Sequence, residues 1–310
     1  MNILIATDGS EFSDNALDFV LRFPFPPDSN MTVLTVVKEI PMSPAELASL
    51  DKAQSQALHA ANQRLREEAE ETVTREGSRL RADGWPGETL VRSGKPVDEI
   101  LKAAREMDAD LIVVGTHGTT MTTRFLLGSV SGRVLAQAPC SVLIVKKKSG
   151  DDSAADIEPG TNAPYSIMLA YDISDASQAA LDQCASLPLE ENSEICVISV
   201  MPMITAYRQD VRQHINDIWL QKKKIMKAEL EKAVKSLQWA TPNLKTQLRE
   251  AKNVSEDILL AAEEAGSDLI MVGAKDKGSI ERFLLGSITQ RMARYATCSV
   301  WAVRKKNGKV

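Results

Sequence analysis

The chain has 310 residues, 44% of them hydrophobic and 25% charged, with a formal net charge of -5. That length exceeds one typical core and suits two domains of about 150 residues each. The acidic balance argues against a nucleic-acid partner, which would need a basic face or stripe. The opening, Met1-Asn2-Ile3-Leu4-Ile5-Ala6-Thr7-Asp8, has no basic leader and reaches an acid after a short apolar run. Neither signal peptide nor membrane anchor is therefore expected, and the cytoplasm is the expected compartment. Cys140, Cys184, Cys196 and Cys298 form no CxxC pair and read as reduced, buried thiols. His59, His117 and His214 lie in separate segments without ligand spacing, so no metal held by the protein is expected.

In chain order, apolar runs predict strands at 2–6, 31–37, 89–92, 111–114 and 142–145, with a Val, Ile and Leu content that indicates burial on both faces. The first strand leads into Ala6-Thr7-Asp8-Gly9-Ser10. There the Asp8 carboxylate can accept hydrogen bonds from an adenine amino group or a ribose hydroxyl, while Asp and Ser equally suit a helix N-cap. Leu58, Ala61, Leu65, Ala69, Val73 and Leu80 mark a long helix with one core-facing stripe. Pro96 opens a further helix through Met107. After the fourth strand come Gly115-Thr116-His117-Gly118, nine residues, and Gly128-Ser129-Val130 opening the next helix. Glycines allow close backbone approach, and a helix N-terminus offers free N–H groups to phosphate; two ordinary turns are the alternative. Neither the P-loop nor the dinucleotide glycine pattern occurs.

The basic runs 146–148 and 304–306 read as solvated strand ends. The segment 149–164, with Ser149-Gly150-Asp151-Asp152-Ser153 and Pro159-Gly160, has linker composition and divides a domain at 1–148 from one at 165–310. The second half repeats the first. A shift of 158 lays Arg124-Phe125-Leu126-Leu127-Gly128-Ser129 on the identical run from Arg282 to Ser287, and Cys140-Ser141-Val142 on Cys298-Ser299-Val300. Asp8 pairs with Asp172 at a shift of 164. Strands alternating with amphipathic stretches give, in each copy, a parallel sheet with crossover helices, whose ligands bind where the strand order reverses.

Gly-x2-Gly-x9-Gly-Ser, with the strand-one Asp and Leu-Leu-Gly-Ser-Val, resembles the universal stress proteins of the ATP-binding kind, nearly throughout the chain and twice. The resemblance implies two tandem five-stranded parallel-sheet domains, Rossmann-like and similar to the adenine nucleotide alpha hydrolases. It implies that Asp8, Val36 and the Ala6 backbone border adenine, that Val114, Gly115 and Gly118 meet ribose and phosphates, and that Gly128, Ser129 and Val130 hold the phosphate tail. The implied ligand is ATP, or AMP or ADP, with magnesium carried by the phosphates rather than by protein carboxylates. Thr119 and Thr120 stand where the family often has a basic residue.

In the second copy Asp172, Gly273, Gly286 and Ser287 outline a weaker site. Asp276 replaces the second glycine and Ile173 the glycine after the strand-one aspartate. An aspartate about 4 Å from a phosphate costs roughly 1 to 4 kcal/mol, so one good site per chain is expected. No catalytic residue stands out, which favours a nucleotide-dependent regulatory or binding module in a stress response. A slow ATPase or nucleotidyl-transfer enzyme, with Asp8 or His117 positioning water, and a nucleotide-independent scaffold are the alternatives. The strands 142–145 and 300–303 are edge candidates, and the resemblance implies that they pair inside the chain. A homodimer through exposed helix faces stays open.

Overall fold

A computed structural model describes residues 1–40, 42–116, 127–147, 164–203, 209–274 and 286–305, without the side chains of 209–216. The first half runs β1 (Asn2–Thr7), α1 (Glu11–Arg22), β2 (Asn30–Val37), α2 (Pro44–Ser49), α3 (Lys52–Ala82), β3 (Glu88–Ser93), α4 (Pro96–Glu106), β4 (Leu111–Gly115), α5 (Ser129–Gln137) and β5 (Ser141–Val145). The second runs β6 (Ser166–Ala170), α6 (Asp175–Ala185), β7 (Glu194–Pro202), α7 (Gln209–Leu237), β8 (Asn243–Ala251), α8 (Val254–Glu264), β9 (Leu269–Gly273), α9 (Ser287–Tyr295) and β10 (Ser299–Val303). Local chemistry sets the helix starts. Ser10 caps α1 by accepting from the Ser13 N–H, Asp51 and Gln54 form a reciprocal capping box on α3, and Pro96 occupies the first turn of α4.

The strands form one sheet in the order β3-β2-β1-β4-β5-β10-β9-β6-β7-β8. Each half is parallel, and the halves join where β10 lies antiparallel to β5, with Val300 opposite Ile144, Trp301 opposite Leu143 and Ala302 opposite Val142. Equivalent strands meeting in opposite directions is the arrangement a two-fold relation between the copies produces. The central strands carry buried residues on both faces, but β3 departs from that expectation: its residues are half-buried or exposed. It is an outer strand of the sheet, as is β8, and its Glu88 and Arg92 discourage further pairing there.

One layer, with α1, α3, α6 and α7, encloses a core continuous across both halves. Aromatic rings cross the seam: Phe23 packs on Trp301 at 5.9 Å and on Tyr165 at 5.0 Å, and Phe25 lies 6.0 Å from Trp301. The opposite layer holds two clusters, one on α4 and α5, the other on α8 and α9. All four cysteines are buried, and none is in a disulfide.

Of the basic residues after β5 and β10, Lys146 and Arg304 differ from the expected solvated ends, Lys305 is exposed as expected, and Lys148 and Lys306 lie outside the described residues. Lys146 Nζ donates to the Ala296 carbonyl at 2.7 Å, on the C-cap of α9. Arg304, 8% exposed, donates through Nη2 to the Leu135 carbonyl at 3.0 Å, in the last turn of α5. Unpaired carbonyls and the negative dipole end draw cations to a helix C-terminus. Burial lowers the Lys146 ammonium to about 8. Lys147 is exposed and lies 3.5 Å from Glu11.

Candidate functional site

Within each half the chain leaves β1 toward β2 on one side and returns as β4 on the other, so the order reverses between β1 and β4, and again between β6 and β9. Ala6 lies directly beside Val114 there, and Ala170 beside Val272. Past β1, Asp8 is exposed, and its Oδ1 accepts from the Ser10 N–H at 3.2 Å and the Ser10 hydroxyl at 2.5 Å. The helix cap is thus Ser10, with Asp8 bracing the turn that feeds it. Gly9 takes φ +72, a conformation that glycine adopts without steric cost. Val36 is half-buried near the end of β2.

Gly115 ends β4 against the first turn of α1. A Cβ there would stand 2.5 Å from the Phe12 carbonyl oxygen, so its absence lets the helix approach the sheet. The Gly115 carbonyl accepts from the Ser131 hydroxyl at 2.6 Å, and the Gly128 N–H donates to the Thr116 carbonyl at 2.7 Å. These bonds fix the start of α5 beside the strand end. Gly128 is the N-cap with φ -59 and no side-chain cap, which leaves the opening amides of α5, starting at Ser129 and Val130, without a capping side chain. Such a terminus is an anion acceptor. Gly118, with His117, Thr119 and Thr120, lies outside the described residues.

The second half repeats this arrangement. The Asp172 Oδ1 accepts from the Ser174 N–H at 3.1 Å and from the Ser174 hydroxyl. The Thr289 hydroxyl donates to the Gly273 carbonyl at 3.2 Å, and Gly286 caps α9 with no side-chain cap. A cavity of about 470 Å³ opens here, within the range of small-molecule pockets. Its apolar wall comes from residues such as Ile198, Val200 and Val272, and its polar end is lined by Asp172, Gly273, Gly286, Ser287 and Thr289. Ile173, where the first half has Gly9, is held at φ 65. Asp276, with Lys275 and Lys277, lies outside the described residues.

A model of the Universal stress protein family matches residues 1–146 and again 165–304. The chain belongs to the universal stress protein family. A universal stress protein of Mycolicibacterium smegmatis is 26% identical over 308 residues, covering 98% of this chain and 97% of that one. The universal stress protein YxiE of Bacillus subtilis is 28% identical over 144 residues, covering 46% of this chain and 97% of its own. The crystal structure of a universal stress protein from Archaeoglobus fulgidus shares the fold across 98% of both chains, with a TM-score of 0.61 at 22% identity.

In this universal stress protein the described residues that the sequence singled out in the first half, Ala6, Asp8, Val36, Val114, Gly115, Gly128, Ser129 and Val130, fall around its strand ends. Asp172, Gly273, Gly286 and Ser287 line one cavity in the second. The sequence alone did not single out Ser131 and Thr289, whose hydroxyls tie α5 and α9 to the glycine carbonyls. Their signal was present: the shift of 158 that aligns the copies places one hydroxyl residue on the other. Among the described residues no three His, Cys, Asp or Glu side chains group to hold a metal, and no helix is long and apolar enough to cross a membrane.

Proposed function

We propose that this chain is a cytoplasmic stress-response module that binds ATP, or AMP or ADP, chiefly in its first half, and that occupancy changes its assembly with partners rather than driving turnover. The observation that carries the reading is the switch-point cradle, where apolar strand ends face a helix N-terminus that no side chain caps. In the first half Asp8 accepts from the adenine amino group, with Ala6 and Val36 beside the ring. Val114, Gly115 and Gly118 face ribose and phosphates, and Gly128, Ser129 and Val130 receive the phosphate tail. Magnesium travels with the phosphates, neutralising charge that the helix amides alone do not balance. The second cradle, from Asp172, Gly273, Gly286 and Ser287, keeps the same geometry, and Asp276 weakens it toward polyphosphate.

Calorimetric titration of Mg-ATP into the purified full-length chain tests this reading. One saturable site per chain is expected, with a second at least about fivefold weaker. Gly128→Asp, which sets a carboxylate at the α5 terminus, is expected to weaken the first site by a similar factor or more. Absence of binding, two equally tight sites, or an unchanged first site in Gly128→Asp overturns it. Phosphate release above the buffer rate that Gly128→Asp abolishes would replace the module with an enzyme.

A further inference from the structure

The proposed cradles lie at the N-termini of α5 and α9, and the other ends of those two helices are gripped across the seam. Lys146 follows Val145, the strand partner of Gly115 in the first site, yet its ammonium binds Ala296 at the C-cap of α9, the helix of the second site. Arg304 follows Val303, the strand partner of Gly273 in the second site, yet its guanidinium binds Leu135 in the last turn of α5, the helix of the first. The Arg304 N–H also donates to the Ser141 hydroxyl at 3.1 Å, and the Lys146 N–H to the Ser299 hydroxyl at 3.2 Å. Each strand that borders one cradle therefore anchors the helix of the other.

We propose that Lys146 and Arg304 are positioning residues for ligand binding in the opposite half: Lys146 sets the affinity of the second cradle through α9, and Arg304 that of the first through α5. The inference rests on the phosphate-cradle reading of the two helix starts. A helix of nine residues is only about 13 Å long, so fixing its last turn fixes the direction of its opening amides. A cation on the terminal carbonyls also offsets the negative dipole end, which otherwise opposes an anion at the N-terminus. Without the anchor the helix must be ordered on binding, and affinity falls. The same contacts connect the sites, because ligand that draws one helix toward its cradle pulls on the strand beside the other.

The test is a titration of the isotope-labelled full chain with Mg-ATP, followed through the backbone amide resonances of Ser129 and Val130 for the first site and of Ser287 and Ile288 for the second. Arg304→Met is expected to weaken ATP about fivefold at Ser129 and Val130 while leaving Ser287 and Ile288 unchanged, and Lys146→Met to do the converse. Arg304→Lys and Lys146→Arg, which keep the cation, are expected to restore most of the loss. A melting temperature for each variant separates general destabilisation, which weakens both sites together and overturns the proposal. So does a loss confined to the variant's own half, or no loss in any variant. If the second site of the wild-type chain does not respond to ATP, the Arg304 pair decides alone. A wild-type chain in which neither pair of amides shifts would instead remove the nucleotide reading itself.

Discussion

Gly115 is hemmed in by α1 before any ligand arrives. The strand-end glycines serve two ends: Gly115 and Gly273 admit the backbones of α1 and α6, where a Cβ would stand 2.5 Å from Phe12 O and 2.3 Å from Ala176 C. Gly286, in contrast, has room for a Cβ, with nothing nearer than the Thr289 hydroxyl at 3.8 Å, so packing does not require it. Gly115→Ala is therefore expected to destabilise the fold by roughly 1 to 3 kcal/mol, by overpacking. Urea denaturation reads that change, and a loss below about 0.5 kcal/mol would show that α1 shifts to make room. Ile173 illustrates the opposite case. A β-branched residue at φ 65 costs on the order of 1 to 3 kcal/mol, strain that the first half avoids with Gly9. The sequence marked that substitution, because glycine and isoleucine differ so sharply in the backbone they accept. It did not mark the division of labour among the glycines, which depends on how closely a helix from elsewhere in the chain approaches.

Among the elements, α3 departs most from its sequence pattern. Its stripe of Leu58, Ala61, Leu65, Ala69, Val73 and Leu80 has an even helical spacing, but only Ala69, Val73 and Leu80 are buried. The helix, 31 residues long, extends past β2 and β3, which are eight and six residues long, so its first half finds only partial cover. Hydrogen exchange is expected to reach the amides of 55–65 about tenfold sooner than those of 73–80, since few apolar contacts hold the first turns. Uniform protection along the helix would contradict this. Strands and caps were legible because each follows from a few neighbouring residues. Strands 2–6 and 111–114 gain one residue at their C-terminal ends, as β1 and β4, and Pro96 does open α4. The exposure of β3 was not legible, since Thr89, Leu90 and Val91 read as interior strand whether or not a neighbour covers both sides.

For the whole molecule, the layer built on α1, α3, α6 and α7 makes one core from two copies. Trp301, fully buried, touches Phe23 and Phe25 from the other half, so much of its packing crosses the seam. The wild-type chain is expected to unfold in one transition, and Trp301→Ala is expected to cost about 3 to 5 kcal/mol and to split that transition into two. Differential scanning calorimetry follows both effects, and two resolved transitions already present in the wild type would show that the halves unfold independently. By itself the sequence determined the repeat, the α/β alternation, the strand-end loops and the family resemblance, because these are written in neighbouring residues and in a copied register. The resemblance implied that β5 and β10 pair inside the chain, but tertiary structure alone decided their antiparallel register, that Trp301 closes the seam, and that Lys146 and Arg304 hold helices of the opposite half. Lys146 and Ala296 are 150 positions apart, as the bond between them records. A lysine after a strand looks the same in sequence whether water or a helix end receives its charge, and only the fold brings the helix end to it.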